Sequence, residues 1–126
     1  MGYILAAMTT LHADVQALLP LPSVTFHVLI AASPGPTHGY AIIQDVESRT
    51  GGSLKLGAGT LYRSIARMVE QGLLSETSRR PAQGDDERRR YYRITPFGTA
   101  VARAEMRRLT KLVQLARASG LTPESP

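Results

Sequence analysis

Leu11, Val15, Leu18 and Leu19 recur at helical spacing after Thr10, whose hydroxyl suits an N-cap, so residues 10–19 predict a short helix. Residues 1–8 have no such period and read as a loose tail. The stripe either covers the chain's own core or packs on a second subunit. Pro20-Leu21-Pro22-Ser23 stops this helix. Ser23 then caps a second one through Ala32, nearly encircled by Val24, Phe26, Val28, Leu29 and Ile30 and therefore a buried core helix. Ser33-Pro34-Gly35-Pro36 denies the chain helical continuation and reads as a turn. Thr37 caps the next helix, ended by Gly51-Gly52, in which Tyr40, Ile43 and Val46 or Glu47 share a face with Ile42 beside them.

Residues 53–56 alternate and predict a short strand leading into Gly57. Over residues 59–71, Leu61, Ile65, Met68 and Val69 form an apolar stripe, while Thr60, Arg63, Ser64, Arg67 and Gln71 point elsewhere and Gly72 supplies the stop. Residues 73–77 and 88–94 are strand candidates, and the Pro, Gly and acid-rich link between them predicts a mobile hairpin tip. Alternation in the second strand puts Tyr92 and Ile94 on the core face, and Arg89, Tyr91 and Arg93 on the other. Thr95-Pro96 opens a last helix as N-cap and first helical residue. Its stripe of Val101, Met106, Leu109, Leu112, Val113, Leu115 and Ala116 is too long to be spent within one small domain, whereas Arg103, Arg107, Arg108, Lys111 and Arg117 take the other side. From residue 119 the composition is that of a frayed tail.

At 126 residues the chain fits one domain with a real core. Its net charge of +5 favours a polyanionic partner. The distribution sharpens this, because every cation lies at or after Arg49, and the first 48 residues hold only Asp14, Asp45 and Glu47 as charged groups. The absence of Cys removes disulfides and thiolate ligands. The apolar run over residues 15–32 is interrupted by Pro20 and Pro22 and is a poor membrane span, and residues 1–7 lack the basic start of a secretory signal, so a cytoplasmic protein is expected. His12, His27 and His38 fall at spacings without metal logic. Neither a nucleophile elbow nor a phosphate-cradling Gly loop ahead of a Lys is present, so neither an enzyme nor a cofactor is expected.

Three short helices, the third opened by glycine, followed by a two-stranded hairpin, make a winged helix-turn-helix, mainly α with a small β-hairpin. His38-Gly39-Tyr40-Ala41-Ile42-Ile43, Leu56-Gly57-Ala58-Gly59-Thr60-Leu61-Tyr62-Arg63, Gly72-Leu73-Leu74, Arg90-Tyr91-Tyr92-Arg93-Ile94-Thr95 and Thr95-Pro96-Phe97-Gly98 occur in this order. Through them the chain resembles the PadR family of bacterial transcriptional regulators over about residues 22–118. The resemblance implies a winged helix dimerised through a C-terminal helix and, usually, repression, relieved in some members by a small molecule whose identity is left open here. One C-terminal helix follows the wing, as in the family's short members, and without Trp a flat aromatic sandwich for planar ligands is not supported. The expected organisation is an N-terminal arm over 1–20, a DNA-binding domain over 21–95, a C-terminal dimerisation helix over 96–118 and a tail over 119–126.

Thr60, Arg63, Ser64 and Arg67 form an i, i+3, i+4, i+7 strip suited to the major groove, where either arginine could read guanine; on an arbitrary helix the same strip would be a solvated face. Tyr62 either reaches a phosphate through its hydroxyl or packs half-buried. Tyr40 is read as core, and Gly39 as permitting close helix packing. Arg79, Arg80, Arg88, Arg89 and Arg90 are the wing's candidates for phosphates or the minor groove, with Asp85, Asp86 and Glu87 fixing their geometry through exposed pairs worth roughly 0 to 1 kcal/mol each. The last helix is expected to pack on its copy and on the N-terminal region of a second chain, placing two recognition helices roughly 34 Å apart. These residues predict a homodimeric, sequence-specific repressor on a pseudo-palindromic operator; the alternative is a winged-helix module that binds acidic proteins.

Overall fold

The computed structural model describes residues 2–78 and 89–124. Its elements are α1 (Gly2–Ala17), α2 (Ser23–Ala32), β1 (Thr37–His38), α3 (Gly39–Arg49), α4 (Ala58–Glu70), β2 (Leu74–Thr77), β3 (Tyr91–Ile94) and α5 (Pro96–Ala118). The helix α2 is the centre of the molecule, packing on α3, α4, α5 and β3, while α1 lies on α5. Val28, Leu29 and Ala32 of α2 meet Ile42 and Val46 of α3, Leu61, Ile65 and Met68 of α4, Leu73, Leu74 and Val101 in one buried cluster.

Packing rather than propensity holds α4. It opens without a side-chain cap and carries Gly59 in its first turn, a cost of about 1 kcal/mol against alanine. Leu61, Ile65 and Met68 are each at most 2% exposed, and burial contributes roughly 1.5 to 3 kcal/mol per side chain. Its exit is fixed by the backbone: Gly72, at φ +78°, donates to the Val69 carbonyl, and Leu73 N–H donates to the Met68 carbonyl. This double closure needs a left-handed residue and turns the chain straight into β2.

Several expectations are corrected. Residues 2–8 are helical, not a loose tail: Leu5, Ala6, Ala7 and Met8 are good helix formers, and Thr10, no cap, donates its hydroxyl back to the Ala6 carbonyl at 2.9 Å. Ser23 is the first residue of α2 rather than its cap. Thr37 does not cap α3, because His38 does so through Nδ1, which accepts from Ala41 N–H at 3.2 Å. Thr37 and His38 instead pair with Tyr92 and Tyr91 of β3, so the sheet has three antiparallel strands in the order β1-β3-β2, not a hairpin alone. Residues 53–56 form no strand; Leu56 is buried and Leu54 half-buried beneath the loop. The core stripe of α3 is Gly39, Ile42 and Val46, and Tyr40 is 56% exposed rather than core. Tyr91 and Tyr92 are both buried: Tyr92 joins the main core, while Tyr91 packs edge-on against His38, its register partner, at 5.2 Å. The added strand pairs the edge of β3 that a two-stranded wing would leave open.

At the other end Thr95 caps α5, accepting from Gly98 N–H at 2.9 Å, with Pro96 at the first helical position, as Thr95-Pro96 predicts. Thr95 also donates its hydroxyl to the Gly72 carbonyl, locking the start of α5 to the end of α4.

Candidate nucleic-acid interface

The amphipathic α4 turns Leu61, Ile65 and Met68 into the core and leaves Thr60, Arg63 and Arg67 exposed, with Ser64 half-buried. Arg63 donates to the Thr60 hydroxyl at 3.4 Å, so two members of the polar strip are already ordered together. The first turn has no side-chain cap, and the N–H groups of such a turn suit an anion.

Beside α4 a cleft of about 870 Å³ opens toward the sheet. Ile65, Ala66 and Val69 of α4 line it together with Tyr40, Tyr62, Glu76, Arg89 and Arg90. Tyr62 is half-exposed, and its hydroxyl end lies over the start of α3. A Cβ built at Gly39 would sit 2.6 Å from that oxygen, so glycine at this position is what admits the ring. Tyr40 is a feature the pattern of apolar positions missed. Its neighbour Gly39 carries the core contact in its place, and no sequence period distinguishes the two.

Arg89 and Arg90 are exposed and sit where the wing meets this cleft. Arg89 Nη1 lies 3.3 Å from His38 Nε2. Arg90 lies 4.0 Å from the Glu76 carboxylate, and both groups act on the Tyr92 hydroxyl. Burial, reinforced by the Glu76 carboxylate, pushes the Tyr92 hydroxyl above its ordinary range, and the Arg90 charge opposes that rise. Arg79, Arg80 and Arg88, with the acids Asp85, Asp86 and Glu87, lie outside the described residues.

On α5 the predicted stripe divides. Val101 is fully buried in the chain's own core and is withdrawn as a contact with a second copy. Met106, Leu109, Leu112, Val113 and Leu115 are exposed and Ala116 is half-buried. Arg108 does not share the solvent side with the other cations: it pairs with Glu105, only 2% exposed, which also accepts from Leu21 N–H at 2.8 Å. A lone Glu on a basic helix carries no sign of burial in the sequence, so this tie shows only in the structure. Arg108 and the Leu21 N–H hold the Glu105 carboxyl below its ordinary range, against the effect of burial.

Among the described residues no group of three or more His, Asp or Glu could hold a metal, and no helix is long and apolar enough to cross a membrane.

Residues 28–104 match the model of the transcriptional regulator PadR-like family. The chain is 34% identical over 92 residues to the transcriptional regulator Rv3488 of Mycobacterium tuberculosis, covering 73% of this chain and 80% of that one. It is also 34% identical over 85 residues, 68% of its length, to an uncharacterized 37.1 kDa transposon protein of Streptomyces fradiae, of which it spans only 22%. Among solved structures, a PadR family transcription regulator from Clostridium difficile superposes with a TM-score of 0.65 at 18% identity, covering 77% of this chain and 97% of that one. Bacillus subtilis PadR in complex with operator DNA superposes with a TM-score of 0.58 at 16% identity, over 69% of this chain and 48% of that one. At these identities the structures establish the winged-helix fold.

Proposed function

Because the chain belongs to the transcriptional regulator PadR-like family, we propose that it is a sequence-specific DNA-binding repressor, acting in the cytoplasm as a homodimer on a pseudo-palindromic operator. The observation that carries this reading is the exposed polar strip of α4, with Thr60, Arg63 and Arg67 opposite the buried Leu61, Ile65 and Met68, and with Arg89 and Arg90, just before β3, lining the cleft beside it. In this reading α4 enters the major groove, where Arg63 or Arg67 makes paired hydrogen bonds to a guanine edge and Thr60 and Ser64 contact neighbouring bases. Arg89, Arg90 and the hydroxyls of Tyr40 and Tyr62 face the sugar-phosphate backbone across the cleft, fixing register without reading sequence. Arg79, Arg80 and Arg88 extend the same role along the wing. The operator complex of the Bacillus relative supports the choice of ligand.

Selection of bound sites from randomised duplex DNA tests the proposal. The expected product is an inverted repeat with half-sites about one helical turn apart, roughly 34 Å. Recovery of no enriched sequence, with equal affinity for selected and scrambled duplexes, would reject it.

A further inference from the structure

Beyond operator reading, the outer side of α5 carries a second, independent charged surface. Arg103, Arg107 and Lys111 stand at i, i+4 and i+8, with Thr110 and Gln114 between and beyond them, along an open groove of about 510 Å³. At about 100° per residue, the row lies roughly opposite the side that buries Val101 and Glu105 and that further on exposes Leu109 and Leu112. All three cations are exposed, and none has a carboxylate within ion-pair distance among the described residues. Like charges four residues apart destabilise a helix, so the row is costly to keep without a counter-charge.

A second copy cannot neutralise all three cations through the helices expected at a dimer contact. The only acid in α1 is Asp14, and the only acid in α5 is Glu105, which is buried and already paired with Arg108. The helix α5 packs on α1 and α2, whereas α4 packs on α2, α3 and β2, so the two basic surfaces lie on separate helices with different neighbours. The groove along the row is shallow, with Met106 the one apolar side chain in its lining and no aromatic one. The row is straight, and its two steps of four residues span about 12 Å at 1.5 Å per residue, the axial length of three to four phosphates on one strand.

We propose that Arg103, Arg107 and Lys111 form a second, sequence-independent seat for a nucleic-acid backbone, able to hold duplex DNA other than the segment under α4. The choice of DNA over another polyanion rests on the proposed function; the charged seat itself does not.

The test uses the full chain, a short labelled duplex bearing its selected site and a second labelled duplex of unrelated sequence, with energy transfer between the two labels as the readout. The wild type is expected to bring the two together, less so with rising salt. Arg103→Gln/Arg107→Gln/Lys111→Gln is expected to abolish bridging while binding the short site as the wild type does. For the unrelated duplex alone, its log–log salt slope should be shallower by about 2 to 3, the amount expected for three lost phosphate contacts. Arg103→Lys/Arg107→Lys should retain bridging, since charge rather than guanidinium shape is what the seat supplies. Absence of bridging by the wild type at low salt, equal bridging by the Gln variant, or parallel loss of short-site binding would overturn the proposal. So would retention of a polyglutamate chain in preference to the duplex. If no site can be selected, Arg63→Ala/Arg67→Ala still separates the two readings, because its binding to unrelated duplex should keep the salt slope that the Gln variant loses.

Discussion

Gly98 occupies the tightest backbone crossing among the described glycines, where the first turn of α5 meets the segment leading into β2. A Cβ there would fall 2.2 Å from the Leu73 carbonyl oxygen, and that backbone is pinned by the Thr95 cap. Gly98→Ala is therefore expected to destabilise the fold by at least about 1 to 3 kcal/mol, measured by chemical denaturation. Gly39 presents the opposite case, since its added methyl would meet the exposed end of the Tyr62 side chain, which can swing aside. Gly39→Ala should leave the melting temperature nearly unchanged yet weaken DNA, and in a Tyr62→Ala background it should have no further effect on affinity. Arg63→Ala and Arg67→Ala, which disturb no core contact, should each lower affinity for the selected site by about 1 to 3 kcal/mol and relax preference at one base position, whereas Arg89→Ala should weaken all duplexes alike. The difference would be read from binding to a panel of single-base variants. The cap at Thr95 was legible in the sequence because it depends on three neighbouring residues. The exposure of Tyr40 was not, because it follows from α4 sending a ring across Gly39.

Elements were readable to the extent that their period was long. The helix α4 repeats its apolar pattern over several turns and buries Leu61, Ile65 and Met68 of it while leaving Val69 exposed, α2 buries Val28 and Leu29 of its apolar residues, and of the α5 stripe only Val101 reaches the chain's own core. Two residues of β1 offer no period at all, so the third strand, and with it the burial of Tyr91, depended on a pairing distant in sequence. The early start of α1 was hidden because its first turns expose Tyr3, Ile4, Leu5 and Met8 and bury nothing described in this chain. The link between α1 and α2 is held by Glu105, and its charge makes that tie sensitive to pH. A carboxyl whose folded pKa is depressed contributes stability above its unfolded pKa, and this is lost as pH falls through the folded value. Glu105→Gln, whose amide oxygen can still accept from Leu21 N–H, should flatten the acid side of the stability–pH profile. Glu105→Ala, which leaves that buried N–H without its partner, should cost about 1 to 3 kcal/mol even at neutral pH. Thermal melts of the three proteins across an acid-to-neutral series measure both effects.

At the scale of the whole molecule, the winged-helix body is closed around α2, but both ends of the chain leave it with apolar side chains in water. After Glu105 no residue of α5 is buried, and Met106, Leu109, Leu112, Val113 and Leu115 remain exposed alongside Ile4, Met8 and Leu11 of α1. Apolar side chains left in water on two helices that lie together suit a face for a second copy. Dimerisation through that face, as proposed, would also explain why a small reading head suffices. Two heads joined rigidly convert the second half-site contact into an intramolecular event, raising affinity by roughly 10² to 10⁴ without a new base contact. Leu109→Glu/Leu112→Glu should then sediment as a monomer, bind an isolated half-site as the wild type does, and lose most of that factor on the full inverted repeat. A variant that stays dimeric and binds the full site undiminished would remove α5 from the interface and leave its exposed stripe to another partner.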